Sequence, residues 1–186
     1  MQQEEYSREL VIENPLGFHV RPVQRFAELA QVFDSDIEVE IEGKNASGKS
    51  VMGLMGLGGR CGSAIKIRAR GDDARQALEV LSFVVEEDFF VEDTLDPPED
   101  SNRHIDRLMK LVSCFDSEVH VVFEGDKYDC EDVTDLNEVG IEPTSDVGFD
   151  VEGPDANKAN KILEKLVKYR FYIEEAMGAE ANQKGG

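Results

Sequence analysis

After Pro22 the apolar residues Phe26, Leu29, Ala30 and Phe33 recur at helical spacing, so one face of an amphipathic helix is buried. Ile37, Val39 and Ile41 then alternate with Asp36, Glu38, Glu40 and Glu42, the period of a strand with one buried and one wet face. Ile65, Ile67 and Ala69 alternate with Lys66, Arg68 and Arg70 in the same way. A last helix buries Ala74, Ala77, Leu78 and Leu81, and the carboxylates of Asp72 and Asp73 suit its start. With an opening strand over Glu9 to Glu13 and a short helix after Ser50, the predicted order is strand, helix, strand, strand, helix, strand, helix. An α+β arrangement, with helices on one face of a four-stranded antiparallel sheet, buries all of these apolar faces.

The pattern then repeats at a constant offset of 82 residues. Val32-Phe-Asp-Ser-Asp-Ile-Glu-Val-Glu-Ile-Glu-Gly43 returns as Cys114-Phe-Asp-Ser-Glu-Val-His-Val-Val-Phe-Glu-Gly125. Gly71, Asp73, Ala74, Ala77 and Leu81 fall on Gly153, Asp155, Ala156, Ala159 and Leu163, and Arg21 falls on Arg103. Leu108, Leu111, Val112 and Phe115 repeat the first helix, and Val147, Phe149 and Val151 repeat a strand. An offset kept at both ends of the unit predicts two copies of one fold, at 1–86 and 87–178, with a flexible tail at 179–186. The second copy's opening strand is in question, because positions 92–94 read Glu-Asp-Thr and Pro97-Pro98 follow. It has either shifted to Phe89, Phe90 and Val91 or been lost.

Charge separates the copies. Residues 1–84 carry 10 Lys and Arg against 13 Asp and Glu, whereas residues 85–186 carry 10 against 27, so most of the net charge of −20 lies in the second half. Such acidity opposes binding to nucleic acid or an anionic membrane and leaves protein partners. The start Met-Gln-Gln-Glu-Glu has no basic, apolar leader, and no apolar run is long enough to span a bilayer. Cys61, Cys114 and Cys130 are odd in number and lack metal-ligand spacing, which predicts reduced thiols in a cytoplasmic protein without metal or other cofactor.

The candidate chemistry lies in Gly17-Phe-His-Val-Arg-Pro22, where a strand turns into the first helix. Imidazole is nucleophilic at neutral pH, and the N–H groups of a helix start and the Arg21 guanidinium offer places for phosphate charge. Pro22 suits the first turn because its missing N–H has no use there. Taken with Gly48-Lys-Ser-Val-Met-Gly-Leu-Met55, the segment Asn14-Pro-Leu-Gly-Phe-His-Val-Arg-Pro22 resembles HPr, the histidine-containing phosphocarrier protein of the phosphoenolpyruvate-dependent sugar phosphotransferase system. The resemblance covers residues 6 to about 84. It implies an open-faced β-sandwich, phosphorylation of His19 by enzyme I, Arg21 beside the phosphate, and transfer to a sugar-permease-type acceptor protein. A protein of this kind is a carrier in a transferase relay and not itself an enzyme.

The same resemblance matches Ser50 to the serine modified by HPr kinase/phosphorylase, while a helix N-cap serine fits the residue equally well. It also implies a docking surface around the histidine, for which Phe18, Val20, Arg25, Lys49, Val51, Met52 and Met55 are the candidates. Phe18, Val20 and Val23 are bulkier than is usual in the family, which bears on the fit to standard partners. In the second copy Ser101 stands at the histidine position and His104 replaces Pro22, so it resembles the fold without its phosphoacceptor; His104 and His120 read as surface residues. Asp132 falls at the position of Ser50, as a weaker, permanent charge or as a helix cap. A second reading is a regulatory protein-binding module of HPr shape that carries no phosphate.

Overall fold

In a computed structural model the described residues are 4–90, 103–130, 139–140 and 146–166. The chain divides into two units, Met1–Pro97 and Pro98–Gly186.

The first unit runs β1 (Glu5–Val11), α1 (Val20–Ala30), β2 (Asp36–Ile41), β3 (Lys44–Ser47), α2 (Val51–Leu57), β4 (Ala64–Arg70), α3 (Ala74–Glu86) and a 3-10 turn at Asp88–Phe90. The strands form one antiparallel sheet in the order β1-β4-β2-β3. β1 begins at Glu5, four residues before the expected start, because Glu5, Tyr6 and Ser7 pair with Arg70, Ala69 and Arg68. Ile37, Val39, Ile41, Ile65, Ile67 and Ala69 point to the helices and are buried. Phe26 and Leu29 of α1 and Val80, Leu81 and Val84 of α3 complete that core, each fully buried and each of the larger ones worth about 1.5–3 kcal/mol over exposure. On the wet face Arg68 is paired with both Glu38 and Glu40.

Asp73 precedes α3 as expected, but its side chain does not cap that helix. Its carboxylate instead accepts from the backbone N–H groups of Asp34 and Ser35, each at 2.9 Å, and from the Ser35 hydroxyl. Gly71 makes this corner possible: with φ +143°, a Cβ there would lie 2.6 Å from Ser35 Oγ.

The second unit contains α4 (Arg103–Val112), β5 (Glu118–Phe123), β6 (Asp126–Asp129), β7 (Gly148–Glu152) and a helix over residues 156–166, α5. Its described strands pair in the order β6-β5-β7. The pairs Asp36–Arg70 and Ile41–Lys44 of the first sheet return as Glu118–Glu152 and Phe123–Asp126, so the offset of 82 holds in register. The corner returns too. Asp155 accepts from the Asp116 N–H at 3.0 Å and from the Ser117 hydroxyl, beside Gly153 at φ +148°.

Phe89 and Phe90 do not open a second sheet. They lie in the 3-10 turn, and Phe89 is fully buried in the first unit, whose packing therefore extends past residue 86. Val91, positions 92–94, Ser101 and Asp132 lie outside the described residues, as does the tail 179–186. His120 is half-buried in β5 with Nε2 3.7 Å from Glu118 Oε1. No helix among the described residues is long and apolar enough to cross a membrane, and no His, Cys, Asp and Glu cluster among them could hold a metal ion.

Burial pushes the thiol of Cys130 from about 9.0 up to about 12. The folded second unit therefore keeps its proton where the unfolded chain loses it, and the contribution to stability, complete below about pH 9, is lost as pH rises toward 12. Chemical denaturation between pH 8 and 11 should show falling stability. Cys130→Ala should lower stability at pH 7 and flatten that slope; an unchanged slope would exclude the thiol as its source.

Candidate functional site

The first motif folds as a sequence of short-range bonds. Asn14, 1% exposed, accepts through its side-chain oxygen from the Leu16 N–H at 2.9 Å and through its carbonyl from the Gly17 N–H at 2.8 Å. This is a turn with Pro15 at its second position, where a fixed φ is favourable. Gly17, at φ +70°, turns the chain inward, and the Phe18 N–H donates to the Gly59 carbonyl at 2.9 Å. That bond joins the loop to the residue after Gly58, the left-handed C-cap of α2. The loop before His19 is thus tied to the segment that follows α2.

His19 is the N-cap of α1, extended at φ −91° and ψ −172°, with its carbonyl accepting from the Val23 N–H at 3.0 Å. Its side chain makes no capping bond. The ring is half-buried and its Nε2 is shielded from solvent. Arg21 and Val20 are exposed in the first turn, and Pro22 is buried beneath them. The first N–H groups of a helix have no acceptors within it, so α1 presents positive potential at His19.

Ser50 is the exposed N-cap of α2 and accepts from the Gly53 N–H at 3.1 Å. Leu54 and Leu57 of α2 are buried, whereas Met52 and Met55 are 81% and 36% exposed, and Val51 is half-buried. Val11, Leu16, Val20, Met52 and Met55 are the large apolar residues left exposed among the described ones. They lie at the end of β1, on the loop before His19, at the start of α1, or on α2. Leu16 belongs with this group although sequence reasoning passed over it; its place between Pro15 and Gly17, at the tip of a turn, was the available signal.

Two expected surface residues, Phe18 and Arg25, serve the interior instead, and a third, Lys49, is tied to a backbone carbonyl at the surface. Phe18 is 3% exposed and packs edge-on to Phe26 at 6.1 Å and against Phe89 at 5.4 Å. Its bulk is absorbed by the core, so it does not crowd the histidine's outer side. Arg25 is 6% exposed, because α1 turns it inward to donate from Nη1 to the Phe89 carbonyl at 2.9 Å. Lys49 is half-buried, its ammonium donating to the Phe33 carbonyl at 2.7 Å.

Residues 6–87 match the family model described as the PTS HPr component phosphorylation site. Over 72 residues the chain is 39% identical to the HPr-like protein Crh of Bacillus subtilis, spanning 85% of that protein and 39% of this one. The chain belongs to the HPr family. Its HPr domain is also 37% identical over 81 residues to the phosphocarrier protein HPr of Lysinibacillus sphaericus, covering 92% of that protein and 44% of this chain. Among solved structures, HPr from Thermoanaerobacter tengcongensis is 37% identical, with 98% of that chain and 47% of this one covered at a TM-score of 0.45. Membership of this family supports a phosphocarrier role for the matched segment, residues 6–87.

Proposed function

We propose that the first unit accepts phosphate on His19 from an enzyme I-like donor and passes it to a sugar-permease-type acceptor in the cytoplasm. The observation that carries this reading is the placement of an HPr-type histidine at the open start of α1, two residues before the exposed Arg21. With Nε2 buried, the attacking atom is Nδ1. Its lone pair forms the new N–P bond as the donor's bond to phosphorus breaks, and the same exchange in reverse delivers the group to the acceptor. The helix start and Arg21 hold the phosphoryl charge during transfer. Val20, Met52 and Met55 serve as the apolar docking contacts, with Leu16 added and Val51 at their edge; adaptable methionines suit successive partners.

Ser50 would receive phosphate from an HPr kinase/phosphorylase. Its hydroxyl already faces the start of α2, where added charge leaves the domain fold undisturbed and changes only what docks. The shared register and the paired Asp–Ser corners support reading the second unit as a degenerate, acidic HPr-like domain without the acceptor histidine.

A regulatory module without phosphate transfer is the second reading, favoured by the 39% identity to Crh. Incubation with phosphoenolpyruvate and enzyme I, followed by intact mass, separates the two. One acid-labile phosphate supports the carrier; a folded chain that gains none, beside an active HPr control, supports the regulatory module.

A further inference from the structure

Phe89 lies 70 residues after His19 in the chain, yet it packs against both segments that hold the histidine. Its ring lies 5.4 Å from that of Phe18, the residue bonded directly to His19, and the two rings are tilted by 33°. Its carbonyl takes the buried Arg25 bond from α1, the helix that His19 caps. Asp88 and Phe89 both have left-handed backbones, at φ 52° and 57°; Asp tolerates that conformation, but a bulky aromatic residue rarely holds it without contacts that fix it. Here the enforcing contacts are a fully buried ring and a guanidinium taken out of water, an arrangement with more cost than a simple chain end requires.

We propose that Phe89 is a positioning residue for His19: the Asp88–Phe90 turn is a plug that fixes Phe18 from below and α1 from the side. This rests on the carrier reading for its consequence in transfer, though not for its effect on the ring. On the loop side the backbone is held by the Phe18 N–H donating to the Gly59 carbonyl and the His19 N–H donating to the Gly17 carbonyl. The plug adds the side-chain constraint, and small displacements of a reacting group weigh heavily on a transfer rate. Because the chain proceeds from Phe90 toward the second unit, the plug also makes the domain's end part of its active centre.

The test uses the full chain. His19 ring resonances are titrated by NMR, and kcat and KM for phosphorylation by enzyme I are measured in Phe89→Ala and Phe89→Leu. In Phe89→Ala the ring resonances and titration midpoint should shift, and kcat should fall about tenfold with KM unchanged. Phe89→Leu, which restores bulk without the ring, should give the same changes at about threefold. Val80→Ala, a core truncation on α3, should lower the melting temperature while leaving His19 and kcat as in wild type. A folded Phe89→Ala with wild-type His19 titration and kcat overturns the proposal, as does Phe89→Leu with wild-type values if the alanine variant does not fold. Equal His19 shifts in Val80→Ala overturn it too, reducing Phe89 to general stability. Should the wild type take no phosphate at all, the carrier reading fails, and the NMR titration still decides the positioning role.

Discussion

His19→Ala is expected to take up no acid-labile phosphate from phosphoenolpyruvate and enzyme I, with its circular dichroism unchanged. The side chain makes no capping bond to α1, so its removal forfeits none of the ~1 kcal/mol that a capping side chain contributes. The cap's backbone role survives, since the bond from the Val23 N–H ends on the His19 carbonyl. Chemistry and folding therefore separate at this position. Arg21→Ala in the same assay should still accept phosphate but roughly ten- to hundredfold more slowly, the loss expected for one hydrogen bond to a charged group. Uptake that survives in His19→Ala would remove His19 from the mechanism.

Gly17→Ala should cost both stability and activity. At φ +70° a β-carbon is strained, and here it would also lie 2.6 Å from the Gly59 carbonyl oxygen and 2.9 Å from the Arg60 Cα. Both are backbone atoms and cannot swing aside as a long side chain would. Strain and overpacking together should destabilise the first unit by about 2–4 kcal/mol. Any relief must move the loop away from Gly59, breaking the Phe18 bond and displacing His19. Urea denaturation and the phosphorylation rate should therefore fall together. A variant with wild-type stability would show that the loop has room the structure does not give it.

Much of this was legible in the chain itself. The period of Phe26, Leu29 and Ala30 marked α1, which ends before Phe33, a buried residue of the following turn; the alternation in Ile37–Ile41 and Ile65–Ala69 marked β2 and β4 with the correct faces inward. Those patterns are local: they require only that one face of each element be buried. The positions of His19, Arg21 and Ser50 at helix starts were also legible, because the signals, Pro22 and the serine cap, lie within a few residues. β1 was read too short, because its first residues, Glu5, Tyr6 and Ser7, do not alternate cleanly and owe their pairing to β4.

The residues that sequence reasoning misplaced are those whose contacts come from far along the chain. Whether Phe18 faces a docking surface or the core depends on Phe89, and Arg25 is inward only because a carbonyl 64 residues later is there to accept its proton. Asp73 looks like a helix cap by its neighbours, yet the N–H groups of Asp34 and Ser35 claim its carboxylate. A charged residue turns inward only where a partner satisfies it, and that partner lies too far along the chain to be read locally. By itself the sequence determined most of the elements, their faces, the offset of 82 residues and the place of His19 at a helix start, since each follows from short-range periodicity or a helix end. Only the tertiary structure decided which side chains remain exposed around that histidine and which hold it from within, because desolvation is compensated by contacts that packing alone brings together.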